Sequence, residues 1–198
     1  CYGYAAEIEG GGRTEDYYAF FRDGTEFRHV IMAERPNGDF AHTILRQFFF
    51  AAYMNPFWRA MTGSVDRQLA AHAGKAVKET AYHIRHCGEW VIRLGDGTEE
   101  SACRMATALD DLAPYIGEMF ETDETASRLI IAGVLPDPAP VRAAFEDTVA
   151  QTFAMATMPP FEVIAGISGG RSGRHTEVLG HLLAEMQQMQ RAYPGLKW

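Results

Sequence analysis

Between residues 75 and 93 the chain carries a run of groups able to bind a metal or move a proton: Glu79, Tyr82, His83, His86, Glu89 and Arg93, with Trp90 among them. On a helix, Glu79, Tyr82, His83, His86, Trp90 and Arg93 recur at steps of three or four and share one face. A face with Glu, His and Trp resembles one wall of a di-iron carboxylate site. Such a site takes Glu-x-x-His pairs and further glutamates from four helices, all aimed into a bundle. The result is an oxygen-rich cage with nitrogen ligands and open positions. Here the pattern is broken. The third residue after Glu79 is Tyr82, and His83 at i+4 points about 100° further round the helix. The neighbouring helix offers Arg46, Gln47, Phe48, Phe49 and Phe50, with no carboxylate between Phe40 and Met61. Asp39 and His42 have i, i+3 spacing, but Asp39 reads as an N-cap at a helix start. Glu177 and His181 are again at i, i+4. The expectation is a degenerate metal site at Gln47, Glu79, Tyr82, His83 and His86, with no metal and no catalytic residue. Glu79, His83, His86, Gln47 and Arg46 would then satisfy one another as a buried polar network.

Two other groups have chemical potential. Gly169-Gly-Arg-Ser-Gly-Arg-His175 precedes a helix N-terminus, a geometry that can hold anions. Arg171, Arg174 and His175 are therefore possible contacts for a phosphate or an acidic partner surface. The stretch lacks GxxxxGK[ST] and is no P-loop. The plainer reading is a loop with a basic edge, followed by capping through Thr176 and Glu177. Cys87 lies between His86 and Glu89, but neighbouring residues on a helix diverge. A buried core thiol is the expectation.

The elements that would position these residues are helical throughout, and strand signals are nearly absent. Tyr4–Glu9 reads as a helix end stopped by Gly10-Gly-Gly12, followed by short pieces at Glu15–Arg22 and Phe27–Ala33. Pro36-Asn-Gly-Asp39 is a turn that launches a long helix to about Met61, which Pro56 should kink or split near Asn55. A second long helix spans about Arg67–Leu94, and a third runs from Thr98 to about Phe120, interrupted by Pro114. Residues 121–140 read mostly as loop. A helix over about Val141–Met158 and a last one over about Thr176–Ala192 follow. Leu179, Leu182, Leu183, Met186 and Met189 form the apolar seam of that last helix. The aromatic cluster of Phe48, Phe49, Phe50, Tyr53, Phe57 and Trp58 wraps more than one side of its helix, as a buried or partner-facing helix does.

Composition bounds the function classes. The 198 residues suffice for one domain with a sizeable core. With 47% apolar residues the chain is globular, and its formal charge of −8 argues against nucleic acid or an anionic membrane as partner. Three cysteines without CxxC spacing suit a reduced, cytoplasmic setting. The longest apolar run, Phe48–Met54, is far too short to span a bilayer. The opening Cys1-Tyr-Gly-Tyr already lies in a helix end, so residues are expected to be missing before it through processing, truncation or disorder.

Taken in combination, several segments closely resemble one family. They are Pro36-Asn-Gly-Asp-Phe-Ala, Lys78-Glu79-x-x-Tyr82-His83-x-Arg85, Arg93-Leu-Gly-Asp-Gly-Thr98, His175-Thr-Glu-x-Leu-Gly180, Leu183-Ala-Glu-Met-Gln187 and Pro194-Gly-x-x-Trp198. The family is the C-type subunit of bacterial ring-1,2-phenylacetyl-CoA epoxidase. The resemblance covers essentially the whole chain in order. It implies an all-α, ferritin-like helical bundle with additional C-terminal helices, a single domain over 1–198 lacking about fifty N-terminal residues. It also implies that the A-type subunit of the epoxidase holds the di-iron centre and binds the CoA substrate, while a reductase supplies electrons from NADPH. The C-type chain then supports its paralogue structurally, holds no cofactor of its own, and self-associates when alone. The alternatives left open are a di-iron oxygenase active in its own right and an all-helical binding module.

Overall fold

The structure is a computed structural model that describes residues 1–196, and among them every regular element is helical. The closing Trp198 of the last family motif lies outside the described residues. Seven α-helices are present among the described residues: α1 (Tyr2–Glu9), α2 (Phe40–Met61), α3 (Arg67–Gly95), α4 (Glu99–Leu112), α5 (Glu124–Ile131), α6 (Pro138–Met155) and α7 (Glu177–Ala192). A π-helical turn at Tyr17–Phe21 and 3-10 turns, among them Gly24–Glu26 and Ile31–Glu34, link them. The all-α expectation holds. Two compact units result, one of Pro36–Ile167, the other of Cys1–Arg35 together with the segment from Ser168 onward.

In the unit Pro36–Ile167, helix starts are fixed by side chains that accept otherwise orphaned backbone N–H groups. Asp39 accepts from His42 N–H at 3.0 Å, Asp66 from Gln68 and Leu69, Thr98 from Ser101, and Asp137 from Ala139. The centre is α2, which packs most extensively on α3 and also on α4 and α6. Its buried stripe of Ala41, Ile44, Leu45, Phe48, Phe49 and Ala52 meets Ala73, Cys87, Gly88 and Val91 of α3. Small residues on α3 let the helices approach. Gly88 presents bare backbone beside the Phe48 ring, where a Cβ would be 3.6 Å from Cε2. Phe145 and Phe153 of α6 complete an aromatic core with Phe48 and Phe49, ring centroids 6.0–6.5 Å apart.

Three elements differ from the sequence reading. The long helix does not split at Pro56; α2 runs through it. The residue before the proline explains this. Asn55 is buried, its Nδ2 donates to Val77 O at 3.1 Å and Thr80 Oγ1 at 2.9 Å, and its Oδ1 accepts from Arg59 Nε at 2.8 Å. These bonds anchor the turn where the proline supplies no N–H. Within residues 121–140, read as loop, α5 forms over eight residues, capped by Asp123 and closed by an Arg128–Glu124 pair one turn apart. The third helix ends at Leu112, and Pro114 sits in a separate 3-10 turn.

In the other unit, α7 packs against the π-turn and both 3-10 turns named above. Phe27, Leu179 and Leu183 form its apolar centre. The buried Gln187 donates to Arg22 O at 2.9 Å, and Arg191 reaches Arg22 O at 3.0 Å. The expected apolar seam of α7 is only half used. Leu179 and Leu183 are buried, whereas Leu182, Met186 and Met189 are exposed.

Candidate functional site

The five degenerate metal-site positions lie on α2 and α3, but the inward network expected of them does not form. Gln47, Glu79, Tyr82 and His86 are exposed, and His83 is half-buried. The reason is the helix contact just described: α3 turns the stripe of Ala73, Cys87, Gly88 and Val91 to α2, which carries the Glu79 face away from the contact. Along that open face Tyr82 stacks on His86, centroids 5.9 Å apart, and touches the His83 ring edge-on. The Arg85 guanidinium lies 5.6 Å from the Tyr82 centroid. Arg46 is drawn elsewhere, its Nη2 donating to Asn37 Oδ1 at 2.5 Å beside the turn that opens α2. A di-iron cage does not fit these residues. Glu79 has no convergent His at i+3, and α2 brings no carboxylate.

At the start of α2, Asp39 does more than cap. Its Oδ1 meets His42 Nδ1 at 2.8 Å, while His42 Nε2 meets Asp111 Oδ2 of α4 at 3.0 Å and Arg104 Nη1 meets Asp39 Oδ2 at 3.2 Å. The hydrogen bond from His42 holds the Asp39 carboxyl down at about 2, with help from its backbone N–H and Arg104. Asp39 first, then Asp111, hold His42 above the ordinary histidine range. This cluster ties α2 to α4. Cys87 is buried, as expected, and burial pushes its thiol up, away from the reactive thiolate.

The densest convergence of chemical groups lies in the other unit, where the sequence reading placed no ligand set. His29, Glu34 and His175 each offer a ligand atom, and these atoms all lie within 4.8 Å of one another. The Glu34 side chain is 1% exposed and that of His175 7%. Glu34 Oε1 meets His29 Nε2 at 2.9 Å and His175 Nδ1 at 2.6 Å. Glu34 Oε2 accepts both the Thr176 N–H at 2.8 Å and the Thr176 hydroxyl at 2.6 Å. The two imidazoles stack, centroids 4.5 Å apart and 25° from parallel. Burial alone would raise the Glu34 carboxyl. The hydroxyl and N–H of Thr176 and the His175 ring together hold it below its ordinary value instead.

This geometry corrects two expectations about the 169–177 loop. His175 is turned inward onto a carboxylate and does not offer itself to an external anion; Arg174 is exposed and Arg171 half-buried. Thr176 stands at the N-cap position of α7, yet its hydroxyl serves Glu34 and caps no N–H of its own helix. The Glu34 carboxylate thus lies at the positive end of α7. Sequence periodicity had no purchase here, because Glu34 lies in a single 3-10 turn. The available signals were an acidic residue closing the apolar run Val30-Ile-Met-Ala33 and a His-Thr pair directly before a helix.

Comparison with known proteins gives the following. The family model described as phenylacetic acid catabolic protein matches residues 1–198. A relative from Escherichia coli (strain K12), the C-type subunit of 1,2-phenylacetyl-CoA epoxidase, is 42% identical over 195 residues, which are 98% of this chain and 78% of the relative. Among the described residues no helix is long and apolar enough to cross a membrane.

Proposed function

The chain belongs to the phenylacetic acid catabolic protein family, and from that membership we propose that it is a non-catalytic subunit of a phenylacetyl-CoA epoxidase, paired with the di-iron A-type subunit. The single observation carrying this reading is the 42% identity, over 98% of the chain, to a protein named as the C-type component of that enzyme. The donor set is in keeping with it. Glu79 lacks a His at i+3, the four exposed positions of the degenerate set converge on nothing, and α2 has no carboxylate to add. The subunit's task is then mechanical. Its helices support those of the paralogue and hold that subunit's ligand-bearing helices at a fixed separation.

Such a permanent partnership requires an interface of more than ~2,000 Å². The face of α3 bearing Tyr82, His83 and His86, the exposed Phe50 of α2 and the open half of the α7 seam are surfaces of the kind that helices from elsewhere cover. The test is co-expression with the A-type subunit. A stable complex whose epoxidation of phenylacetyl-CoA falls at least tenfold when this chain is left out is the expected result. Full activity of the A-type subunit alone would refute the reading. So would close to two irons per copy in this chain purified by itself, which would make it an oxygenase in its own right.

A further inference from the structure

We propose that His29, Glu34 and His175 form a mononuclear site for a divalent late transition metal, zinc by preference, that pins the start of α7 to the segment 27–34. The inference rests on one unit of the chain and is independent of the epoxidase reading.

The argument starts from His175. Its Nε2 lies 2.9 Å from the carbonyl oxygen of Phe27, which can only accept, so that nitrogen carries a hydrogen. In the neutral ring Nδ1 is then a lone pair, and it faces Glu34 Oε1 at 2.6 Å. An ionised carboxylate is likewise only an acceptor. Two lone pairs aimed at each other in a nearly dry site require a cation between them. A proton on Nδ1 is one such cation; a metal ion is the other. His29 favours the metal, because it brings a third potential donor atom, Nε2, to the same carboxylate oxygen at 2.9 Å.

The surroundings have the form that metal sites use to fix their ligands. A ligating histidine typically donates its other N–H to a backbone carbonyl, which sets its tautomer and aim. His175 does this with Phe27. The Glu34 oxygen not offered to the site is occupied by two hydrogen bonds from Thr176, which leaves Oε1 to coordinate. Bonds of about 2.0–2.1 Å in tetrahedral geometry would set donors roughly 3.3 Å apart. The observed separations of 2.6 and 2.9 Å need to open by less than an ångström. The His29 side chain is 27% exposed, so the fourth position faces solvent and can take water. Two imidazoles and one carboxylate suit zinc and its neighbours; magnesium and calcium prefer all-oxygen cages. Bonding three side chains from segments 141 residues apart makes the ion a staple for this unit.

The experiment uses the full chain, stripped with chelator, dialysed at neutral pH and titrated with Zn²⁺ by calorimetry, with Co²⁺ absorption as a reporter of geometry. The expected result is one Zn²⁺ per chain with a Kd of about 1 µM or tighter, and an intense visible Co²⁺ band of the tetrahedral type. His29→Ala, at a partly exposed position, should weaken binding at least ~100-fold while leaving circular dichroism unchanged. Thr176→Val should weaken it about 10–100-fold through the carboxylate's orientation. His83→Ala with His86→Ala should leave it unaltered. The proposal is overturned by a wild-type chain that takes up no Zn²⁺ below millimolar concentration, which would assign the cation to a proton on His175. It is equally overturned by His29→Ala retaining full affinity, or by binding that disappears with the α3 histidines.

Discussion

At the scale of single residues, the best-defined electrostatic device is His42, held between Asp39 and Asp111 with Arg104 on the far side of Asp39. The two shifted groups contribute to stability in opposite directions of pH. Asp39 is lowered from 3.8, so its contribution is complete above that pH and is lost as the pH falls towards about 2. His42 is raised from 6.5, so its contribution is complete below that pH and is lost as the pH rises through its higher folded value. The cluster therefore stabilises most between about pH 4 and 6.5. The gap in urea midpoint between wild type and His42→Ala should be widest in that window and narrow at pH 8–9. A gap that stays constant from pH 5 to 9 would show that His42 acts only as a packing residue. The Asp39 cap was legible in the sequence from its place after Pro36-Asn-Gly. Its tie to Asp111 was not, because the two are far apart in the chain.

At the scale of elements, periodicity told which residues share a helix face, but not which face turns inward. Glu79, Tyr82, His83 and His86 do share a face, as their spacing requires, yet α3 meets α2 through Ala73, Cys87, Gly88 and Val91. A ferritin-like expectation assigned chemistry to the polar stripe and overlooked how closely a stripe of small residues lets two helices pack. Helix starts were easier, since Asp39, Asp66 and Thr98 are caps with a recognisable side chain. The helix α5 was obscured by its brevity and by the prolines around it. The aromatic run on α2 offers a sharp test of the packing. Phe49 is fully buried against Phe145, Phe153 and Phe161, and the next residue, Phe50, is 37% exposed. Phe49→Ala should cost about 3–5 kcal/mol and Phe50→Ala less than about 1 kcal/mol, read from denaturant unfolding. Equal costs would mean that the core is drawn on the wrong face of α2.

For the molecule as a whole, the exposed Phe40, Phe50, Tyr82, Met155, Leu182, Met186 and Met189 are more apolar surface than a solitary chain ordinarily shows. A surface adapted to a paralogue often accepts a copy of itself. Light scattering on the chain expressed alone should give a mass of at least two copies, falling to a one-to-one ratio with the A-type subunit when both are present. A strict monomer at micromolar concentration would count against that. The order of synthesis matters as well. All segments of the unit Pro36–Ile167 are contiguous, whereas Glu34 must wait for His175 and Thr176, made 141 and 142 residues later. At roughly 5–20 residues per second on a ribosome, Phe27, His29 and Glu34 spend on the order of ten seconds outside the tunnel without their partners. During that interval the nascent N-terminal stretch is open to chaperones and proteases, and it is sheltered only when the final helix emerges.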